Sequence, residues 1–230
     1  MKGGENMTNF EFAEKLTNVL NFKTLYVNGC FGAPLNTRNK TRYTKNNSFN
    51  SRADRTKKIM ASMQDTFGFD CVCLIKGVLW GWTGDVNATY GGAKYSSNGV
   101  SDVNEKTMYE KHCTEHSTDF TKIMPGEFLY TNGHCGVYIG DGKAIECTYN
   151  WDDGVQVTEV WNIRKSSGKG RTWLAHGKLN YIEYLDMSTA KDDAEVIVIL
   201  KKAPTDAEEN SIKAELVNLG YEVRIVTEGG

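Results

Sequence analysis

The sequence predicts an α+β fold in which N-terminal helices pack on an antiparallel sheet. Apolar residues recur with helical spacing up to Trp82, whereas they alternate with period two from Glu127 to Tyr184. An apolar helix that begins at Cys71 ends the helical region. Helices followed by strands are typical of an α+β domain, because parallel α/β folds alternate the two along the chain.

Length and composition indicate a globular protein without a nucleic-acid partner. The chain has 230 residues, of which 40% are hydrophobic and 24% charged, as in ordinary globular proteins. Its formal net charge of −2 provides no basic field for nucleic acid. No stretch approaches the ~20 apolar residues that span a bilayer, and residues 1–7 lack the apolar segment of an export signal. We therefore expect no membrane insertion, and synthesis in the cytoplasm without a signal peptide.

The N-terminal region predicts two helices separated by a loop. Residues 10–20 have helical spacing, with Thr8 and Asn9 as candidate caps. Residues 23–45 are rich in Gly, Asn, Thr and basic residues, and predict a long ordered loop. Residues 54–64 predict a short amphipathic helix, and the basic run at 52–58 predicts a solvated face.

The region after the apolar helix predicts strands joined by turns. Residues 84–101 are rich in Gly, Asn and Tyr and predict a loop, and residues 103–116 predict short helical turns. Gly-Asp-Gly at 140–142, between two alternating runs, predicts a hairpin. Residues 166–171 predict another loop, rich in Gly, Ser and Lys. Further strands are predicted at 127–130, 155–160 and 173–184.

A change of pattern near the C-terminus predicts a second unit. An apolar run at 195–200, a helical pattern at 206–219 and an alternating run at 221–226 predict a strand, a helix and a strand. We expect a main domain at 9–187 and this small unit at 191–230. A unit of ~40 residues buries little core alone. It therefore docks on the main domain, pairs with another copy, or is part of a larger domain.

Two short stretches place a cysteine and a histidine where a thiol hydrolase needs them. Cys71 begins an apolar helix, whose unpaired N–H groups and dipole favour a thiolate. Asp70, directly before it, is a candidate cap for that helix. His134 opens an alternating run and is expected at the start of a half-buried strand. A cysteine beside a histidine supplies the nucleophile and the general base of thiol hydrolysis.

Three motifs together match the pattern of a known family. They are Asp-Cys at 70–71, Pro-Gly-Glu-Phe-Leu-Tyr at 125–130, and Gly-His-Cys-Gly-Val-Tyr-Ile-Gly-Asp-Gly-Lys-Ala-Ile-Glu at 133–146. The combination resembles the NlpC/P60 cysteine peptidases over roughly residues 9–185, with residues 26–32 taken as the family's Tyr-Val-x-Gly-Gly segment. The chain departs from that pattern at Cys30, where a second glycine is common, and at Cys73, where a small residue is usual.

The resemblance implies a papain-like core and a peptidoglycan hydrolase that cuts stem or cross-bridge peptides without a cofactor or metal. It makes Cys71 the nucleophile, His134 the general base and then acid, and Glu146 the residue that orients the imidazole. The family often has His, Asn or Gln at this third position. We expect Tyr26 and Asp70 to contribute to the substrate-binding and oxyanion region.

The resemblance leaves three roles open on the cell wall. Without an export signal, a wall hydrolase is expected to be a phage-type endolysin, made in the cytoplasm of a bacterial host and acting on peptidoglycan after release. An N-acetylmuramoyl-L-alanine amidase would use the same thiol chemistry on a different bond. A catalytically inactive module that binds wall peptide or glycan would keep the fold, but it would not need the cysteine, the histidine and the third polar residue together.

Two alternatives concern the site itself. A zinc ion could be drawn among His112, Cys113 and His116, with Cys71 and Cys73 as further soft ligands. That spacing is not one of the strong zinc patterns, because it lacks a second Cys-x-x-Cys or a partner pair for the two histidines. If Glu146 does not orient the histidine, the next candidates are the acidic residues at 152 and 153.

Overall fold

The structure, a computed structural model, describes residues 7–186 and four positions beyond them: Thr205, Glu209, Ile212 and Lys213. The chain divides into two compact units, Met1–Leu185 and Asp186–Gly230. The strand, helix and strand expected between 195 and 226 fall almost wholly outside the described residues. The expected C-terminal unit at 191–230 therefore stays a prediction.

Residues 7–186 form five α-helices, two 3₁₀ helices and ten strands. The α-helices are α1 (Asn9–Asn18), α2 (Thr37–Lys45), α3 (Ala53–Ala61), α4 (Cys71–Leu79) and α5 (Glu105–His112). The 3₁₀ helices cover Val19–Asn21 and Phe120–Lys122. The strands are β1 (Thr24–Tyr26), β2 (Phe31–Pro34), β3 (Phe67–Phe69), β4 (Cys113–Ser117), β5 (Phe128–Thr131), β6 (His134–Gly140), β7 (Lys143–Thr148), β8 (Gly154–Val160), β9 (Gly170–Arg171) and β10 (Ala175–Leu179).

The strands form two sheets. A three-stranded sheet has the order β1-β3-β2, with β1 parallel and β2 antiparallel to β3. A seven-stranded sheet has the order β4-β10-β5-β6-β7-β8-β9 and is antiparallel except between β8 and β9. Most helices precede the large sheet along the chain, and α1 and α4 pack against it. The predicted α+β class, with N-terminal helices on an antiparallel sheet, is confirmed. Within residues 7–186, no helix is long and apolar enough to cross a membrane.

Helix α4 lies in the core, and all nine of its residues are buried. It packs against α1, β2, β6 and β7, so it contacts both sheets. Gly77 permits the close approach of β2, because a Cβ there would lie 2.9 Å from the carbonyl oxygen of Phe31. The predicted helix therefore forms, although it ends at Leu79 rather than at Trp82. It holds Cys71 at its first position, facing the large sheet.

The local signals for α1 and for the β6–β7 hairpin also give the predicted structure. The Thr8 side chain accepts from the Glu11 N–H while Glu11 accepts from the Thr8 N–H, which is a complete capping box. In the hairpin turn, Asp141 and Gly142 have φ of 51° and 69°. Left-handed conformations at both positions match the twist of the flanking strands, and Asp and Gly tolerate them.

The prediction of a long loop at 23–45 is wrong. This segment contains β1, β2 and α2. The two strands are only three and four residues long and are defined by pairing with β3, which lies more than 30 residues further along the chain. Asn36 caps α2 by accepting from the Asn39 N–H. Short strands that depend on distant partners leave too little periodicity in the sequence to be recognised.

Two smaller expectations are also wrong. The basic run at 52–58 is not simply a solvated face, because Arg55 is only 3% exposed and binds Asp153 through Nη1 at 2.6 and 2.8 Å. The segment 166–171 is not entirely loop, because its end pairs with β8 as strand β9. The first feature depends on a contact between residues 98 positions apart, and the second on pairing with the preceding strand.

Candidate functional site

Cys71 lies at the N-terminus of α4, beside the start of β6. Asp70 caps the helix by accepting from the Cys73 N–H at 2.7 Å. The Cys71 side chain interacts with the thiol of Cys135 and the imidazole of His134, both on β6. The residue as a whole is only 8% exposed. The helix cap and the packing of α4 on β6 thus bring the predicted nucleophile and the predicted base together.

His134 and Glu146 meet across the β6–β7 pair. Nε2 of His134 lies 2.5 Å from Oε2 of Glu146, and the glutamate is fully buried. Gly136 leaves space for this arrangement, because a Cβ there would lie 3.3 Å from the Glu146 Cβ and 3.1 Å from the Trp173 ring. The structure therefore brings Cys71, His134 and Glu146 into one line, in the order that the sequence motifs suggested.

The electrostatics of this line favour a thiolate and an imidazolium. The hydrogen bond from Cys135 and the interaction with His134 outweigh burial, and together they lower the pKa of Cys71 to about 6. Burial alone would lower the pKa of His134, but its contacts with Cys71 and Glu146 raise it to about 9. An ion pair at neutral pH is the reactive form of a cysteine hydrolase, since the thiolate is the nucleophile.

Glu146 is held by two further side chains. Its Oε1 accepts from the Thr158 hydroxyl and from Nε of Arg171, and its Oε2 lies 2.6 Å from Nη2 of Arg171. Burial raises the pKa of Glu146, but His134, Arg171 and Thr158 together bring it below its usual value. The carboxylate is therefore charged and has partners at both oxygens, as a buried carboxylate requires.

Arg171 was not predicted from the sequence to be a site residue. It ends a segment rich in Gly, Ser and Lys that predicts a loop, and no motif marks it. Its position depends on the parallel pairing of β9 with β8, which places Arg171 opposite Val160. Two residues of strand at the edge of a sheet carry no recognisable periodicity, so the sequence contains no signal for this contact.

Tyr26 lies at the end of β1, close to the nucleophile. Its N–H donates to the Asp153 carbonyl at 3.0 Å, and its carbonyl accepts from Arg55. Burial raises the pKa of its hydroxyl, and the nearby charge on Cys71 raises it further. The hydroxyl therefore stays protonated and able to donate. Its ring lies 5.4 Å from that of Tyr149, which is 52% exposed and offers a contact surface at the site.

Asp70 is tied to the backbone on two sides. Besides the helix cap, its Oδ2 accepts from the Gly29 N–H at 2.7 Å. A carboxylate accepts hydrogen bonds and cannot donate one to an oxyanion. The structure thus gives Asp70 a part in positioning α4 and the loop at Gly29, while the predicted contact with substrate stays a prediction.

The alternative acidic residues at 152 and 153 are engaged elsewhere. Asp153 binds Arg55 and also Lys58, whose Nζ lies 2.7 Å from Oδ2. Asp152 pairs with Lys169. Neither carboxylate has His134 among its hydrogen-bond partners. Of the three acidic candidates, only Glu146 contacts the imidazole.

The candidate zinc ligands make other contacts in the structure. Nδ1 of His112 lies 2.6 Å from the Tyr181 hydroxyl, and Nε2 of His116 lies 2.8 Å from the Tyr109 carbonyl oxygen. Cys113 is buried, and burial raises its pKa. Across the described part of the chain, no group of three or more His, Cys, Asp or Glu residues is arranged to hold a metal ion. All six cysteines are free and buried.

Comparison with known proteins gives little further information. No protein-family model matches the chain, and no curated protein matches it. A structure of NlpC1 from Trichomonas vaginalis aligns with 78% of this chain, with 14% sequence identity and a TM-score of 0.34. The alignment covers 46% of that protein, so this chain spans less than half its length. A similarity at this level carries no functional argument.

Proposed function

We propose that this protein is a cysteine peptidase of the NlpC/P60 type, which cleaves amide bonds in the stem or cross-bridge peptides of bacterial peptidoglycan. The observation that carries the proposal is the buried line from the Cys71 thiol through the His134 imidazole to the Glu146 carboxylate. The sequence motifs at 70–71, 125–130 and 133–146 support a wall peptide as the substrate.

In this proposal the Cys71 thiolate attacks the carbonyl carbon of the scissile amide and forms a tetrahedral intermediate. The Cys71 N–H lies in the first turn of α4, where N–H groups lack intrahelical acceptors. This group and the Tyr26 hydroxyl are the proposed donors to the oxyanion. The imidazolium of His134 gives its proton to the leaving amine, which leaves a thioester on Cys71.

The thioester is then hydrolysed. Neutral His134 removes a proton from a water molecule, and the resulting hydroxide attacks the thioester carbon. Collapse of the second intermediate breaks the carbon–sulfur bond, releases the new carboxyl end of the peptide and restores the ion pair. Glu146 stabilises the imidazolium in both halves of the reaction through its contact with Nε2.

The proposal is tested by digesting purified peptidoglycan and identifying the new termini by mass spectrometry. We expect new amino and carboxyl ends within the peptide part. Cys71→Ala and Cys71→Ser should lower the rate at least about 10³-fold, because removal of the nucleophile abolishes the covalent step. Cys113→Ser is the matched control, since Cys113 is buried to a similar degree but lies on strand β4, away from the site, and it should keep the wild-type bond specificity.

Three outcomes would contradict the proposal. Near wild-type turnover by a folded Cys71 variant would show that Cys71 is not the nucleophile. Cleavage only at the amide between muramic acid and alanine would indicate an amidase. Tight binding to the wall without any new termini would indicate a binding module.

The wider setting is part of the same proposal. An enzyme of this kind would be made in a bacterial cytoplasm and reach the wall after release, as phage endolysins do. Purified protein added to cells with a permeabilised outer surface should then lower their turbidity, and the Cys71→Ala variant should not. Cleavage of soluble muropeptides without lysis of any wall type would contradict the endolysin setting alone.

A further inference from the structure

The guanidinium of Arg171 contacts both oxygens of the Glu146 carboxylate. Nε donates to Oε1 at 3.2 Å, and Nη2 lies 2.6 Å from Oε2. The Nε contact has the geometry of a hydrogen bond, whereas the Nη2 contact is an ion pair without that geometry. The same Oε2 lies 2.5 Å from Nε2 of His134. Arg171 is thus one side chain removed from the imidazole.

The backbone fixes Arg171 in this place. The Arg171 carbonyl accepts from the Trp161 N–H at 3.0 Å, and the Glu159 N–H donates to the Lys169 carbonyl at 2.8 Å. Gly170 allows β9 to lie this close to β8, because a Cβ there would lie 2.7 Å from the Glu159 carbonyl oxygen. The strand therefore delivers the guanidinium to the buried carboxylate with little freedom.

Two indole rings restrict the guanidinium further. It lies 5.2 Å from the ring centroid of Trp151 and 5.5 Å from that of Trp173, within range of cation–π attraction. Trp151 has a left-handed backbone, with φ of 53°, in the turn between β7 and β8. A bulky residue in that conformation is strained, and strained backbone conformations are common at functional sites. The ring of Trp173 stacks on that of His134 with 5.7 Å between centroids.

We propose that Arg171 is a positioning residue, which holds the Glu146 carboxylate against Nε2 of His134 and thereby maintains the thiolate–imidazolium pair. Its importance for hydrolysis rests on the proposed function, whereas its effect on the thiol does not. Without the Arg171 guanidinium, the buried Glu146 carboxylate loses its permanent positive partner. It would then take up a proton more readily or turn away from the imidazole, and either change weakens the pair.

The reactivity of Cys71 towards iodoacetamide, followed by peptide mass analysis between pH 4.5 and 8, tests this without any substrate. In the wild type the rate should be half-maximal near pH 6, the pKa of Cys71. In Arg171→Met we expect the midpoint about one pH unit higher, which makes alkylation at pH 6 about fivefold slower. Arg171→Lys keeps the charge but loses the hydrogen bond from Nε, and its midpoint should lie between those of the wild type and Arg171→Met.

The Arg171 variants leave every other titratable side chain around the site unsubstituted. The titratable side chains that interact with Cys71, His134 or Glu146, other than Arg171, are Tyr26, Asp70, Cys135 and Cys147. Arg164→Met is the matched control, because it removes the same charge from an exposed position on the segment before β9. Its midpoint should equal that of the wild type. Where Arg171→Met is unfolded by circular dichroism, Arg171→Gln carries the same expectation.

Specific outcomes would overturn the inference. If Arg171 acted only through its positive charge, its removal would also raise the midpoint, but Arg171→Lys, which keeps the charge, would have the wild-type midpoint. A midpoint equal to or below that of the wild type in folded Arg171→Met, or equal to it in folded Arg171→Lys, therefore refutes the positioning role. If the wild type shows the expected alkylation profile but cleaves no peptidoglycan, the proposed function fails while the role of Arg171 stands. If the wild type cleaves peptidoglycan but Arg171→Met has the wild-type alkylation profile, the role of Arg171 fails while the proposed function stands.

Discussion

At Glu146, burial and charged partners act on the pKa of the carboxyl group in opposite directions. Glu146 is fully buried, and its partners differ in kind: a hydroxyl, an imidazole and a guanidinium. Desolvation raises the pKa of its carboxyl group, but the partners outweigh desolvation and the net shift is downward. A neutral Glu146 would not stabilise the imidazolium, so the charge state of this residue controls that of His134.

Replacement of Glu146 by Gln should narrow the pH range of activity from both sides. The thiolate forms as the pH rises through the pKa of Cys71, about 6, and the imidazolium is lost as the pH rises through the pKa of His134, about 9. Wild-type kcat/KM should therefore be bell-shaped with limbs near these values. Loss of the carboxylate lowers the pKa of His134 and raises that of Cys71, so both limbs move towards neutral pH.

The loss of kcat/KM at the optimum should be about 10 to 100-fold, equivalent to one to two pKa units of coupling. It is smaller than the loss for Cys71 variants because a neutral amide still contacts the imidazole. The control is Asp153→Asn, since Asp153 binds Arg55 and Lys58 rather than His134. It should lower stability without moving either limb. An unchanged profile for Glu146→Ala would mean that another group orients the histidine.

At the scale of the element, the start of α4 combines a helix cap with an electrostatic cost. Asp70 accepts from the N–H groups of Cys73 and Gly29. Its negative charge also raises the pKa of Cys71, against the effects of Cys135 and His134. The same side chain therefore stabilises the element and opposes the thiolate that the element carries.

Replacement of Asp70 by Asn should lower stability and raise thiol reactivity together. Asn still caps the helix, but its amide nitrogen then faces the Gly29 N–H, and this unpaired donor costs about 1–3 kcal/mol. Loss of the charge lowers the pKa of Cys71, so alkylation at pH 5 should become faster. Urea unfolding and iodoacetamide kinetics measure the two effects. Asn104→Ala, which removes the cap of α5, should lower stability only; slower alkylation of Asp70→Asn would refute the electrostatic argument.

At the scale of the whole molecule, the proposed chemistry is contained in one unit. Each group of the proposed site belongs to the first compact unit, Met1–Leu185. The seven-stranded sheet supplies His134, Glu146 and Arg171 from β6, β7 and β9, and α4 supplies Cys71. The expected C-terminal unit contributes none of these residues.

A chain that ends at Met187 should therefore still cleave soluble muropeptides at close to the wild-type rate. If residues 191–230 form an appended module that binds the wall, their removal should weaken lysis of intact walls much more, because an appended module raises the local concentration of enzyme on the polymer. Rates on both substrates, compared between the two chain lengths, measure this. Equal losses on both would mean that the C-terminal residues stabilise the main domain instead.

Features with local physical causes can be predicted from the amino-acid sequence. The cap at Asp70 and the apolar run after it predicted α4, and alternation around Gly-Asp-Gly predicted the β6–β7 hairpin. That Cys71, His134 and Glu146 lie together was implied only by the resemblance of three motifs to a known family. Caps, turns and side-chain periods act over a few residues, so they can be read from the chain alone.

Features that depend on pairing with other elements could not be predicted from local sequence patterns. Strands β1 and β2 exist because β3 lies between them, and Arg55 is buried because Asp153, nearly one hundred positions later, neutralises it. Arg171 reaches Glu146 because β9 adds to the edge of β8. Such contacts bring together residues with no common local pattern, and they form only where charge pairing and hydrogen bonding in the folded chain offset the cost of desolvation.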